Sequence, residues 1–270
     1  MASQVRYRKA VTLLMLASTG TALTAAPKPI QPDADFYLRP HPVAGQSISD
    51  VTYRVISLYG PGIEDSVVQI PATGTYTFLA SDSPDIFKWT IDVRMDGDMV
   101  LKAAEGDYRN GGTTMCFKGK CNFTTDASGP FFNPTFWGAP RGPLTAGQTW
   151  TVALKEPWEL GPPGAQTVTV VSVDKVNGIA VLKREGEGVG PYEGNHDSLL
   201  IKRDGKSYKV AAKYGNAHWV GQAVFQHGVV VSDELLCNTP VEIVSPEIGT
   251  LQIQERQYMS LLQHPDSIAS

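Results

Sequence analysis

The stretch Leu199–Leu236, LLIKRDGKSYKVAAKYGNAHWVGQAVFQHGVVVSDELL, places three turn signals between runs of β-type residues. Asp204-Gly205, Gly215-Asn216 and His227-Gly228 are the residue pairs that tight hairpin loops favour, because Gly, Asn and Asp tolerate positive φ. A hairpin centred on Asp204-Gly205 pairs Ile201 with Tyr208 and Leu199 with Val210. One centred on Gly215-Asn216 pairs Tyr214 with Ala217 and Ala212 with Trp219. One centred on His227-Gly228 pairs Phe225 with Val230 and Trp219 with Leu236. Side chains alternate along a strand, so these registers sort the stretch onto two faces. Leu199, Ile201, Tyr208, Val210, Tyr214, Trp219, Phe225, Val230 and Leu236 share one. Lys202, Lys209, Lys213, His218, Gln222 and Asp233 share the other. Three separately chosen turns agree on one apolar and one wet face. That agreement predicts a curved four-strand antiparallel meander covering a core or cavity.

The same grammar extends through the chain. Val51–Leu58, Gly74–Leu79 and Phe87–Val93 have strand composition, and Asp96-Gly97 reads as a turn into Met99–Lys102. Asn177-Gly178 lies between Thr167–Val171 and Ile179–Leu182, again as a hairpin. Leu251–Leu262 suits either a last strand or a short helix. The 26 Gly and 19 Pro punctuate these runs. The fold class is therefore all-β, with antiparallel meander sheets forming a β-sandwich or an open, unclosed β-barrel and little helix.

Arg6, Arg8 and Lys9 precede the apolar run Ala10–Ala17 and the small or neutral residues Gly20–Ala26. That order reads as a secretory signal peptide over residues 1–26, cut after Ala22, Ala25 or Ala26. Residues 27–45 read as an extended tether, opened by three prolines between Pro27 and Pro32. Residues 46–264 then form one large all-β domain, readable also as two β subdomains, 46–125 and 145–264. The joining loop, 126–148, is rich in Pro and Gly and carries Phe131, Phe132, Phe136 and Trp137. The expected location is exported, periplasmic or secreted. A formal net charge of −4, with Lys and Arg scattered, argues against a nucleic-acid partner. No segment after the leader is long and apolar enough for a membrane span.

Cys116 and Cys121 frame Phe117-Lys118-Gly119-Lys120. If Lys118-Gly119 is the turn, the two cysteines face each other across a hairpin, within disulfide reach under oxidising conditions. Cys237 is left over and reads as a buried thiol. The chemistry-bearing residues are few. With the third turn at His227-Gly228, Glu234 points to the apolar face opposite Gly221. With the turn one residue earlier, Asp233 does so instead. An acid in such surroundings has a raised pKa and is a candidate catalytic or ligand-orienting group. His196-Asp197 is the densest polar pair. No zinc-type spacing, nucleophile elbow or dinucleotide fingerprint is present, so no metal or cofactor is expected.

The leading expectation is an exported, non-enzymatic β-protein that binds a hydrophobic or amphipathic small molecule or an envelope protein. Trp219, Tyr208 and Phe225 would form the binding face, and Trp137 and Phe136 its aromatic roof. The alternatives are an exported hydrolase using Glu234, Asp233, His196 or Asp197, and a structural or interaction domain.

Overall fold

A computed structural model of the chain describes residues 31–83, 86–109, 112–117, 120–123, 129–192 and 198–263. The signal-peptide reading falls outside these residues. The first strands are β1 (Ser47–Tyr59), β2 (Ser66–Ser83), β3 (Ile86–Met95), β4 (Asp98–Arg109), β5 (Gly112–Phe117) and β6 (Lys120–Phe123). They pair as a meander, each with the next. After a loop come β7 (Thr149–Leu154), β8 (Gly164–Asp174), β9 (Ile179–Gly188), β10 (Ser198–Arg203), β11 (Lys206–Tyr214), β12 (Ala217–Gln226), β13 (Val229–Ser245) and β14 (Gly249–Gln263). The path runs β6-β5-β4-β3-β2-β1-β14-β13-β12-β9-β8-β7, all antiparallel and unclosed, with the β10–β11 hairpin branching from β13. Two short helices, α1 (Ala34–Leu38) and α2 (Pro134–Trp137), complete the described elements. The all-β, little-helix class holds. The ambiguous C-terminal run is a strand, its inward positions Ile253, Glu255, Gln257, Met259 and Leu261 alternating with more exposed ones.

Local chemistry explains the turns. Asp96-Gly97, Asp204-Gly205 and His227-Gly228 all have positive φ at both residues, the type I′ signature that matches strand twist. Met95 pairs with Asp98, Arg203 with Lys206 and Gln226 with Val229 around them. Cys116 stands opposite Cys121 and Phe117 opposite Lys120, the expected register. The Asn177-Gly178 loop is wider than a two-residue turn, since Asp174 pairs with Ile179. The Asp174 carboxylate holds it by accepting the N–H groups of Val176 at 2.9 Å and Asn177 at 3.2 Å. Asp174 is pulled below the usual carboxylate range, chiefly by the Asn177 side chain.

Two pairings differ from the four-strand meander. Gly215-Asn216 is not a hairpin turn. β11 pairs with Val241–Val244 of β13, while β12 pairs with β13 from Val229 to Asn238. The cause is length: β13 has 17 residues and β12 has 10. The overhang offers an unpaired edge, and β11 takes it, lying end to end with β12. Gly215 links the two by donating its N–H to the Pro240 carbonyl at 2.8 Å. The second departure is a bulge. Phe225 pairs with Val230, but Val224 pairs with Ser232. The extra residue, Val231, flips every later side chain of β13 to the other face. Trp219 therefore meets Cys237 rather than Leu236. Leu235 and Cys237 turn inward, at 1% exposure each, and Leu236 turns outward.

Part of the predicted tether is ordered. Asp33 caps α1 by accepting the Ala34 N–H, and Ala34, Tyr37 and Leu38 are buried in the largest core cluster. The apolar side chains of α1 have more to gain from burial than an extended tether allows.

Candidate functional site

The inner face of β9, β12 and β13 is where the apolar surface predicted for binding meets the predicted acid. Arg184 on β9 is directly across from Gly221 on β12, and Leu182 across from Ala223. Asp233 on β13 is opposite Ala223. Two small residues on the middle strand leave a trough, and the Arg184 side chain crosses it. Its Nη2 donates to both Asp233 oxygens, at 3.0 and 2.8 Å. A Cβ at Gly221 would come within 2.5 Å of the Glu234 carbonyl oxygen and 3.1 Å of Arg184 Nε. The trough therefore requires glycine.

This pair is 2% and 3% exposed. Trp137 lies over the guanidinium, 4.4 Å from its centre, adding a cation–π contact. Burial pushes Asp233 up to about 6, and Arg184 offsets only part of that rise. Burial lowers Arg184 in turn. The inward acid is Asp233, by the bulge and not by a shifted turn. Glu234 points to the outer, solvated face. The two carboxylates thus lie on opposite sides of the sheet and do not form an acid–base pair. His196 and Asp197 lie outside the described residues.

A second polar seam runs along the same face. Arg54 Nη2 donates to Gln257 Oε1 at 2.6 Å and to the Glu159 carbonyl at 3.1 Å. Gln257 donates to Glu255 at 2.7 Å, and Tyr214 donates to Glu255 at 3.4 Å. Tyr192 and Thr239 share a hydrogen bond. Cys237 is 1% exposed, and burial pushes its thiol up to about 12. It is a protonated core thiol, without the thiolate that nucleophilic chemistry needs. Among the described residues, no group of three or more His, Cys, Asp or Glu could hold a metal ion.

The aromatic loop covers this face directly. Asn133 caps α2 by accepting the Thr135 N–H at 2.9 Å, with Pro134 at the first helical position. Phe132 and Trp137 meet Phe225 edge-on at 5.3 and 5.2 Å. Phe136 meets Trp158, which meets Trp219 at 5.2 Å. Gln166 donates to the Phe136 carbonyl, and Trp150 donates to the Trp137 carbonyl at 2.6 Å. Trp219 donates to Gln166 at 2.9 Å. Phe225, Trp219, Trp137 and Phe136 are all at most 3% exposed. The protein's own loop occupies the face that sequence reading assigned to a ligand. Tyr208 is separated from these rings. It packs on Leu58, Ile201, Val210, Val241, Ile243 and Ile253 in another cluster. Arg184 and Gln166, the polar residues that organise the site, were missed. Parity along β9 (Ala180, Leu182, Arg184) was the available signal for the first.

The outer face carries an unexpected apolar stripe. Val220, Leu236, Tyr258 and Val55 form one rung across β12, β13, β14 and β1. Val224, Ser232, Leu262 and Val51 form another on the same face. Val51 and Leu262 are 42% and 58% exposed. A shallow groove of about 310 Å³ follows Val220, Leu236 and Tyr258, with Lys183 and Glu234 at its margin.

No protein-family model matches the chain. No curated protein matches it either. Among solved structures, it is similar to a LolA superfamily protein from Nitrosomonas europaea, with 11% identity over 88% of this chain and 94% of that one, at a TM-score of 0.18. A loop-deletion mutant of OmpT, an outer membrane protein of Vibrio cholerae, shows 10% identity over 82% and 100%, at a TM-score of 0.23. A mutant Rh. blastica porin shows 10% identity over 81% and 100%, at 0.21. Likeness at this level carries no assignment.

Proposed function

We propose that the protein is an exported, non-enzymatic β-protein that holds a hydrophobic or amphipathic envelope partner on the outer face of its sheet. The observation that carries this reading is the outer-face apolar stripe Val220–Leu236–Tyr258–Val55, exposed at Val220 and half-buried at the other three, set opposite an inner face filled by the protein's own aromatics. The polar rung Gln222–Glu234–Ser260–Tyr53 separates it from the Val224–Ser232–Leu262–Val51 rung on the same face, and apolar surface rimmed by polar residues marks interaction sites in soluble proteins. Lys183 and Glu234 at the groove margin suit a partner with polar as well as apolar groups. The N-terminal leader and the oxidised Cys116–Cys121 hairpin belong to the same proposal, since both fit an envelope compartment.

The test is titration with monomeric dodecyl maltoside, read by calorimetry. Wild type binds saturably, and Val220→Glu with Leu262→Glu weakens binding at least about tenfold, or about 1.4 kcal/mol. Absent binding in wild type, or equal binding in the double variant, overturns the assignment.

A further inference from the structure

A second, chemically different pocket lies between the segment after α1 and the β12–β13 turn. It measures about 250 Å³, below the range of drug-sized ligand sites. Gln46, Gln226, Gln263 and His41 line it, over an apolar floor that includes Ile48 and Phe78. None of its lining residues is an acid, a lysine or an arginine.

Gln263 is the most informative of them. It is 8% exposed, so most of its side chain is held against the wall of the pocket that it lines. Its carboxamide carries two donors and one acceptor for a ligand in the pocket. The other carboxamides are each half used. Gln46 Oε1 accepts the Val43 N–H at 3.4 Å, leaving its NH₂ group. Gln226 donates to the Asn177 carbonyl at 3.4 Å, leaving its oxygen. The pocket therefore offers donors and acceptors together. Asp50, across the ladder from Gln263, keeps one oxygen on the Gly74 N–H and does not line the pocket.

The walls are preset. The Gln46 carbonyl accepts the Phe78 N–H, and the Phe78 carbonyl accepts the Gly45 N–H, both at 2.9 Å. His227 donates its backbone N–H to the Gly178 carbonyl, and its Nδ1–H to the Phe36 carbonyl at 3.0 Å. Its ring stands where a Gly178 Cβ would be. Binding would need little loop ordering, which favours affinity in a small site.

We propose that this pocket binds a neutral, polyhydroxylated ring of monosaccharide size, with Gln263 as its principal hydrogen-bonding residue. Mixed donors and acceptors without fixed charge match hydroxyl groups, which both donate and accept. The apolar floor matches the C–H face of such a ring. The site is separate from the outer-face groove, and neither assignment depends on the other.

Saturation-transfer NMR on the full chain tests it, with glucose and N-acetylglucosamine as probes. Wild type shows saturable transfer at millimolar concentration, the range of about −4 kcal/mol. Gln263→Leu lowers affinity at least tenfold without lowering Tm. If that variant fails to fold, Gln226→Leu, on the turn, serves instead with the same expectation. No saturable transfer to either sugar overturns the proposal. So does unchanged binding in the variant that folds, or binding of Zn²⁺ through the imidazoles in place of any sugar.

Discussion

Removing the Asp233 carboxylate leaves Arg184 charged and unpaired in the core. Asp233→Ala is therefore expected to cost about 3–5 kcal/mol, the range for breaking a buried pair from one side. For a chain of this size, that lowers Tm by roughly 6–20 °C. The cation–π contact with Trp137 at 4.4 Å remains, and it is too weak to replace two charge-assisted hydrogen bonds. Replacing both partners, Arg184→Met with Asp233→Leu, removes the stranded charge as well. The double variant is expected within about 1 kcal/mol of wild type or above it. Urea titrations read by tryptophan fluorescence report all four corners of the cycle, because Trp137 covers the pair. The effect should also resist salt, since the pair is screened from solvent. The pH leg has a definite sign. Burial holds folded Asp233 at about 6, above the ordinary aspartate value of 3.8. The stability it contributes is therefore fullest below about 4 and is lost as pH rises through about 6. A loss under about 1 kcal/mol in Asp233→Ala, or a double variant as damaged as the single, would refute the trough geometry.

Asp50 gives a second pH signature. Burial pushes it to about 7 against the pull of the Gly74 N–H and the Tyr76 hydroxyl. Stability should fall between about pH 4 and 7, and Asp50→Asn should remove up to about 4 kcal/mol of that slope in pH-dependent urea midpoints. Gly221→Ala should destabilise by about 1–3 kcal/mol, because its new methyl meets the Glu234 carbonyl oxygen at 2.5 Å; an unchanged melting curve would contradict this. Protein recovered from its host's envelope should begin after Ala22, Ala25 or Ala26. Its intact mass should be about 2 Da below the fully reduced value, from the Cys116–Cys121 bond, and a reduced, uncleaved chain would exclude export.

Much of the fold was readable from local chemistry. Asp96-Gly97, Asp204-Gly205 and His227-Gly228 tolerate positive φ, and the predicted pairs Ile201–Tyr208, Leu199–Val210 and Phe225–Val230 are kept. The aromatic loop reads from sequence either as a plug of the core or as the roof of a binding cavity, and the structure has it packed on Trp219 and Phe225 as a plug. Its placement depends on β7, which follows it directly, and on partners from β8 and β12 that lie 30 or more positions away.

The sequence by itself determined the strand class, the turns at Asp96-Gly97, Asp204-Gly205 and His227-Gly228, and the presence of one acid on an apolar face. These follow from φ preferences and from alternation, which act over two to four residues. Only the tertiary structure decided which acid it is, what pairs with it and which face stays open. One extra residue at Val231 exchanges Glu234 for Asp233, and no local preference announces it. Arg184 meets Asp233 across 49 positions through the gap left by Gly221 and Ala223. β11 leaves β12 because β13 outruns it. Each outcome depends on relative lengths and on contacts between distant segments, quantities that exist only once the sheet is assembled.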